Sequence, residues 1–194
     1  MTDPASQLPG VRLGRVQRHA DSRGSFRELW RESAFPALTH DETGAPADTT
    51  PRFVQANLST SAAGVLRGLH YHRRQLDYWV VVSGRALVAL VDVWPVAAGT
   101  ASRAPVETHE LVADDWVVIP AGVAHGFLAL EPLELLYLVT NEFDNTDELG
   151  FAWDDPDVGV PWPAVDATPD GRPILSDRDR SNPSLAELVA SLRR

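Results

Sequence analysis

The stretch GVLRGLHYHRRQLDYWVVVSG, from Gly64 to Gly84, places two histidines two residues apart, follows them with two arginines and then enters an apolar run. Because side chains at positions i and i+2 of a β-strand point to the same face, we expect His70 and His72 to lie side by side. Three interpretations of this pair are open: metal ligands, a catalytic acid/base pair, or polar positions on a structural strand.

Short apolar runs continue on both sides of this stretch and predict an all-β fold. The alternating segment FVQANLS begins at Phe53, and RALVALVDV, DWVVIP, HGFLAL and ELLYLVTN follow with Asp, Pro and Gly between them. Many short strands at this spacing are typical of a sandwich or a small barrel. The segment 35–52, FPALTHDETGAPADTTPR, is rich in Pro, Thr, Asp and Ala and predicts a long surface loop.

One clear helix is expected at the C-terminal end of the chain. Asn182 is the predicted N-cap and Pro183 suits the first helical position. The spacing of Leu185, Leu188, Val189 and Leu192 gives an apolar stripe that we interpret as packing.

Length and composition narrow the classes of function. A chain of 194 residues suits a single domain, and a net charge of −10 without a basic stripe argues against a nucleic-acid polymer as partner. A small anionic ligand stays compatible, because a few local arginines outweigh a diffuse negative background. No cysteine is present, the start MTDPASQLPG does not read as a signal peptide, and the apolar runs are too short to span a bilayer. We therefore expect a cytoplasmic protein that does not enter the membrane.

A second motif, PAGVAH at Pro120–His125, delivers another histidine at the start of a strand. It follows Gly64-x5-His70-x-His72-x4-Asp77-x6-Gly84, and the two together resemble the paired motifs of cupins. The resemblance implies a cupin-like double-stranded β-helix, or jelly-roll barrel. We expect one domain over 1–194, with an N-terminal arm and loop at 1–52, a barrel core at 53–145 and a C-terminal segment and helix at 146–194.

Five segments in order sharpen the resemblance: DSRGSFRELW, FVQANLSTSAAGVLRGLHY, VVIPAGVAHGFLAL, ELGFAWDDPDVGVPWP and LSDRD. Together they resemble the dTDP-4-dehydrorhamnose 3,5-epimerase family over most of the chain. This implies an isomerase without a required cofactor. It also implies a homodimer that acts on a dTDP-linked 4-keto-6-deoxyhexose at C3, C5 or both.

The resemblance also assigns roles to residues. His70 matches the base that removes the proton beside the ketone, Asp179 its carboxylate partner, and His125 a further active-site histidine. Histidine suits the task because its ordinary pKa, about 6.5, lies near neutral pH. A carboxylate on the other ring nitrogen fixes the tautomer and stabilises the imidazolium.

Substrate-binding positions carry over in the same way. Arg23 and Arg67 match positions that hold the diphosphate, which suits the planar guanidinium fork. The nucleotide-contacting positions match Phe26, Glu28, Gln55 and Asn57. Of these side chains, Arg23, Phe26 and Glu28 are expected to reach into the site of the partner subunit.

Three departures from the family pattern argue against full epimerisation at two centres. Asp77 falls where the family usually has an enolate-stabilising lysine, and Val88 where it usually has an aspartate. The family's general-acid tyrosine aligns near Glu142 or Phe143, whereas Tyr137 lies five residues before Glu142. Glu142 is then the substitute proton donor that the sequence offers.

His72 replaces the glutamine that is usual in the family, and with Asp77 it restores the ligand set of a metal-binding cupin. That set is His70, His72, Asp77 and His125, and it suits Zn, Fe, Mn or Ni. The metal and base interpretations compete, because a metal-bound ring nitrogen cannot also accept a proton. A metal-dependent cupin enzyme with changed chemistry and a non-catalytic sugar-nucleotide binder are therefore the alternative functions.

Overall fold

Two five-stranded antiparallel sheets and a two-stranded hairpin form the framework of the computed structural model, which describes residues 6–34 and 52–193. The strands are β1 (Arg12–Arg15), β2 (Arg18–Asp21), β3 (Gly24–Arg27), β4 (Gln55–Ser61), β5 (Leu66–Tyr71), β6 (Asp77–Ser83), β7 (Arg85–Asp92), β8 (Val106–Val112), β9 (Asp115–Ile119), β10 (Val123–Ala129), β11 (Leu133–Val139) and β12 (Leu149–Gly150). The helices are α1 (Trp94–Ala97), α2 (Asp177–Arg180) and α3 (Leu185–Leu192), with a 3₁₀ turn at Glu32–Ala34. The prediction of an all-β fold is confirmed.

The first sheet has the order β1-β9-β6-β11-β4, and the second has the order β12-β5-β10-β7-β8. The segment 53–145 supplies eight of these strands, β4 to β11, while β1 and β12 join from either side of it. Of the predicted loop at 35–52, residues 35–51 lie outside the described residues.

The apolar core fills one part of the space between the sheets. Its members are the inward-facing residues of both sheets, whose alternation along each strand places every second side chain on the same face. They include Val81, Val88, Leu90, Val117, Ile119, Phe127, Leu133 and Leu135. Burial of this surface is the main stabilising contribution, and it fixes the strand register on which the site depends.

β5 and β10 approach each other unusually closely, and glycine makes this approach feasible. A Cβ on Gly126 would lie 2.7 Å from the carbonyl oxygen of Arg67, and one on Gly68, where φ is +129°, would lie 2.7 Å from the Cα of Gly126. Within this tight pair His125 lies opposite His70.

Helix α3 begins later than predicted. Its N-cap is Ser184, not Asn182, because Ser184 and Glu187 form a reciprocal capping box: the Ser184 hydroxyl accepts from the Glu187 N–H, and the Glu187 carboxylate accepts from the Ser184 N–H. The predicted apolar stripe is confirmed, since its residues pack into the cluster that includes Leu69, Ala89 and Val91 of the second sheet.

The segment before α3 is tied to the start of β5. Backbone hydrogen bonds link Leu66 N–H to the Ile174 carbonyl and Ile174 N–H to the Gly64 carbonyl. This connection and the packing of α3 hold α2, which carries Asp179, against β5. Among residues 6–34 and 52–193, no helix has the length and apolarity needed to cross a membrane.

Candidate active site

A cavity of about 350 Å³ opens between the two sheets, and it collects most of the polar residues that the sequence singled out. The second sheet contributes His70 from β5 and His125 from β10. The first sheet contributes Asp77 from β6 and Tyr137 from β11. Chemically active side chains therefore face one another across a single space.

His70 is paired with the carboxylate that the family resemblance assigned to it. The Nε2 atom of His70 lies 2.8 Å from Oδ1 of Asp179, although 109 residues separate the two in the chain. If Nε2 carries the proton and donates it to Asp179, Nδ1 is left as the basic nitrogen. His70 lines the cavity with its side chain about one-quarter exposed, so that nitrogen is within reach of a ligand.

Asp179 is buried and firmly held. Its Oδ2 accepts from the Ser176 hydroxyl at 2.9 Å, and Ser176 in turn accepts from the Asp179 N–H as the N-cap of α2. Burial opposes ionisation of the carboxyl, but the hydrogen bonds with His70 and Ser176 and the charge of Arg178 keep the pKa of Asp179 below its ordinary value. At neutral pH Asp179 is therefore an anion placed to stabilise a protonated His70.

A second cluster lies in the same cavity and consists of His72, Asp77 and His125. The Oδ2 atom of Asp77 lies 3.5 Å from Nε2 of His125 and 3.9 Å from Nε2 of His72. The three residues can each offer one ligand atom with all of these atoms within 4.8 Å of one another. His70, the fourth member of the predicted metal set, is not part of this group and is paired with Asp179.

Burial changes the protonation of this cluster. It raises the pKa of Asp77 to about 6, while the neighbouring His72 and a hydrogen bond from Gln75 oppose the shift. Burial, together with the neighbouring His72 and His70, holds the pKa of His125 well below its ordinary value. His125 is therefore a neutral imidazole at neutral pH, suited to accept a hydrogen bond or to ligate a metal.

Tyr137 is a site residue that the sequence analysis did not place. It lies on β11, opposite Trp79 of β6 and Asn57 of β4, and lines the cavity. Burial, with the nearby carboxylates of Asp77 and Glu148, raises the pKa of Tyr137, so its hydroxyl stays protonated. Its signal in the sequence is the inward period-2 pattern that it shares with the buried positions 133, 135 and 139.

The predicted substrate-binding residues fall into two groups. Gln55, Asn57 and Arg67 line the cavity, and the Gln55 amide donates to Asn57 at 2.9 Å. Glu142, by contrast, is exposed and does not line the cavity, whereas its neighbour Phe143 does.

The second group lies away from the cavity, on or just after the β2–β3 hairpin. It comprises Arg23, Phe26 and Glu28. The Phe26 side chain is 67% exposed, and Arg23 is paired with Asp21 of the same hairpin.

The family model described as dTDP-4-dehydrorhamnose 3,5-epimerase matches residues 5–187. The chain belongs to this family. The dTDP-4-dehydrorhamnose 3,5-epimerase of Pseudomonas aeruginosa is 36% identical over 189 residues, which cover 93% of this chain and 93% of that protein.

Solved structures of epimerases share the fold. The rmlC epimerase of Mycobacterium tuberculosis superposes with a TM-score of 0.80 at 32% identity, covering 98% of this chain and 92% of that one. ChmJ, a 3'-monoepimerase from Streptomyces bikiniensis in complex with dTDP-quinovose, gives a TM-score of 0.77 at 30% identity, covering 94% and 87%.

Membership of the dTDP-4-dehydrorhamnose 3,5-epimerase family confirms the resemblance and the cupin-like jelly roll. The protein is an isomerase, a nucleotide-sugar epimerase. Enzymes of the family need no cofactor.

Proposed function

We propose that this epimerase acts on a dTDP-linked 4-keto-6-deoxyhexose and inverts C3, C5 or both by moving protons between the two faces of the sugar ring. The observation that carries the proposal is the placement of a histidine–aspartate pair and a protonated tyrosine on facing sheets of one cavity. His70 lies on the second sheet and Tyr137 on the first, so a sugar ring bound between the sheets would have one of these side chains on each face.

The proton balance of the reaction uses these groups. His70 Nδ1 takes the proton from the carbon beside the ketone, and the electron pair of that C–H bond moves to the carbonyl oxygen to form an enolate. Asp179 stabilises the resulting imidazolium. The Tyr137 hydroxyl then donates its proton to the opposite face, which restores the ketone with inverted configuration, and exchange with water returns both side chains to their starting states.

Tyr137 replaces Glu142 as the proposed proton donor. Glu142 is exposed and lies outside the cavity lining, whereas Tyr137 lies within it with a raised pKa. A tyrosine hydroxyl is a suitable acid here because it stays protonated until a strong base, such as an enolate carbon, accepts the proton.

We assign binding of the nucleotide end of the substrate to Gln55, Asn57 and Arg67.

We further propose that the protein is a homodimer. Arg23, Phe26 and Glu28 lie on or next to an exposed hairpin, which supports their predicted role in the site of a partner subunit. We also propose a cytoplasmic location, as expected from the sequence.

The test is deuterium incorporation in heavy water. A dTDP-4-keto-6-deoxyhexose is incubated with the protein in ²H₂O, and C3 and C5 are followed by NMR. Exchange with inversion at either carbon supports the proposal. Binding of dTDP without exchange at either carbon contradicts it and favours a non-catalytic sugar-nucleotide binder.

A metal-dependent cupin enzyme is the second candidate, and one observation favours it. His72, Asp77 and His125 converge with the spacing of metal ligands. This candidate is compatible with His70 as the base, because His70 is paired with Asp179 and lies outside that group.

A further inference from the structure

The arrangement of His72, Asp77 and His125 is unusual because their polar atoms converge without bonding to one another. The two contacts from Asp77 Oδ2, at 3.5 and 3.9 Å, are longer than hydrogen bonds. The two imidazole rings lie 5.4 Å apart between centroids and are tilted by 34°. All three side chains are at least nine-tenths buried.

Each ring is oriented by a hydrogen bond at its other nitrogen. His72 Nδ1 lies 2.8 Å from the Asp147 carbonyl oxygen, and His125 Nδ1 lies 3.1 Å from that of Val123. A carbonyl oxygen only accepts, so both Nδ1 atoms carry a proton, and in the neutral form of each ring this leaves a lone pair on Nε2. Metal-binding histidines are typically held by such hydrogen bonds to carbonyl oxygens.

Asp77 is oriented in the same manner. The Gln75 amide donates to both oxygens of the Asp77 carboxylate, to Oδ1 at 3.2 Å and to Oδ2 at 3.4 Å, and Oδ2 is the oxygen nearest to the two histidines. One atom from each of the three side chains therefore lies within 4.8 Å of the other two, in the cavity between the sheets.

The spacing fits a shared ion. Ligands bound at about 2.1 Å in tetrahedral or octahedral geometry lie about 3.0–3.5 Å apart. The observed Nε2–Oδ2 distances exceed that range by at most a few tenths of an ångström. Two imidazoles and one carboxylate favour a divalent transition metal such as Zn, Fe, Mn or Ni over Ca or Mg, which prefer all-oxygen sites.

The proposed reaction places negative charge on the enolate oxygen. The side chains that line the cavity provide little positive charge to stabilise it. All 17 basic residues of the chain are arginines, so no lysine exists in the protein. Two arginines line the cavity: Arg178 is paired with Glu148, and Arg67 donates to Ser61 and to the Thr60 carbonyl. Asp77 and Glu148 add negative charge to the same space.

We propose that His72, Asp77 and His125 bind one divalent transition-metal cation, which faces the cavity and stabilises the enolate oxygen while His70 remains free to act as the base. The role in enolate stabilisation rests on the proposed epimerase function, whereas the binding site does not. His70 does not belong to the group of converging ligand atoms, and its Nε2 is paired with Asp179. Metal binding and proton abstraction are thereby assigned to different histidines.

The experiment uses Co²⁺ as the probe, because its visible absorption reports ligand geometry directly. Tag-free full-length protein is stripped with chelator, dialysed and titrated with Co²⁺, and then with Zn²⁺ as a competitor. We expect absorption that saturates at one equivalent and disappears on addition of Zn²⁺. The stripped protein should also lose deuterium exchange at the sugar and regain it with Zn²⁺.

His72→Gln and Asp77→Asn test the ligands, and His109→Gln is the matched control. His109 pairs with Glu107 on β8 and does not line the cavity. The ligand variants should weaken Co²⁺ binding by about 100-fold or more, and circular dichroism melts verify that they fold. The control should bind Co²⁺ as the wild type does.

The outcomes separate the two proposals. Absence of saturable Co²⁺ absorption in the wild type, or unchanged absorption in His72→Gln, overturns the metal site. Full exchange activity in the stripped protein overturns the role of the metal at the enolate. Saturable Co²⁺ absorption that the ligand variants lose, without exchange in any preparation, supports the metal site and contradicts the proposed function.

Discussion

At the scale of single residues, the pairing of His70 with Asp179 decides which nitrogen acts. The 2.8 Å contact fixes Nε2 as the bonded atom, so proton abstraction falls to Nδ1. Asp179 is a positioning residue in this account, because it touches the substrate only through His70.

We expect His70→Ala to lower kcat/KM by about 10²–10⁴-fold, because the general base is lost. Asp179→Asn should lower it by a similar factor and shift the pH–rate profile, because an amide no longer stabilises the imidazolium. Steady-state kinetics and the pH profile provide the measurement. Near wild-type activity in both variants, with His109→Ala as the unaffected control, would remove His70 from the mechanism.

Some residues of the candidate site could be predicted from the sequence, and others could not. Its assignment of Asp179 to His70 agrees with the contact observed, because the motif LSDRD identified the carboxylate. Tyr137 was missed because the family's tyrosine aligns near Glu142 or Phe143, whereas the inward period-2 pattern of β11 places Tyr137 in the cavity. His70 was included among the metal ligands because the cupin motif contains it, whereas the structure brings only His72, Asp77 and His125 to ligand spacing.

At the scale of elements, the short helix α2 carries the Asp179 carboxylate and is capped at its N-terminus by Ser176. Ser176 caps the helix and also donates to Asp179 at 2.9 Å, so one hydroxyl stabilises both the element and the active-site anion. The sequence predicted the carboxylate but not this support, which depends on the cap geometry.

We expect Ser176→Ala to lower kcat several-fold and to destabilise the protein by about 1 kcal/mol, because the N-cap and one hydrogen bond to Asp179 are lost together. Ser181→Ala, at the other end of α2, is the matched control. Its hydroxyl donates to the Arg178 carbonyl and does not contact Asp179. Equal effects of the two variants on kcat would contradict a role of Ser176 in holding Asp179.

At the scale of the whole molecule, Asp114 ties the exposed hairpin to the first sheet. It adopts φ +79° between β8 and β9, pairs with Arg18 of β2 in a two-bond contact, and also pairs with Arg27 of β3. These hydrogen bonds, with that of Arg18 the largest contribution, hold the pKa of Asp114 below its ordinary value. The hairpin that carries Arg23 and Phe26 is thereby fixed in place.

We expect Asp114→Asn to lower the free energy of unfolding at neutral pH by about 1 kcal/mol, since Arg18 is half-exposed and its pairing is screened by solvent. Because the folded-state pKa is depressed, this contribution is present above the unfolded pKa of about 3.9 and is lost as the pH falls through the folded pKa. Urea denaturation at neutral and acidic pH measures it. A difference between wild type and variant that does not shrink in acid would be inconsistent with an ionic anchor.

The placement of base and acid on facing sheets is the central claim, and Tyr137→Phe tests it most directly. Wild type and variant are incubated with a dTDP-4-keto-6-deoxyhexose in ²H₂O, and deuterium content and configuration at C3 and C5 are read by NMR. We predict that the variant still incorporates deuterium through His70 with retained configuration, while inversion falls by about 10²–10⁴-fold. Inversion at the wild-type rate in Tyr137→Phe would contradict the account.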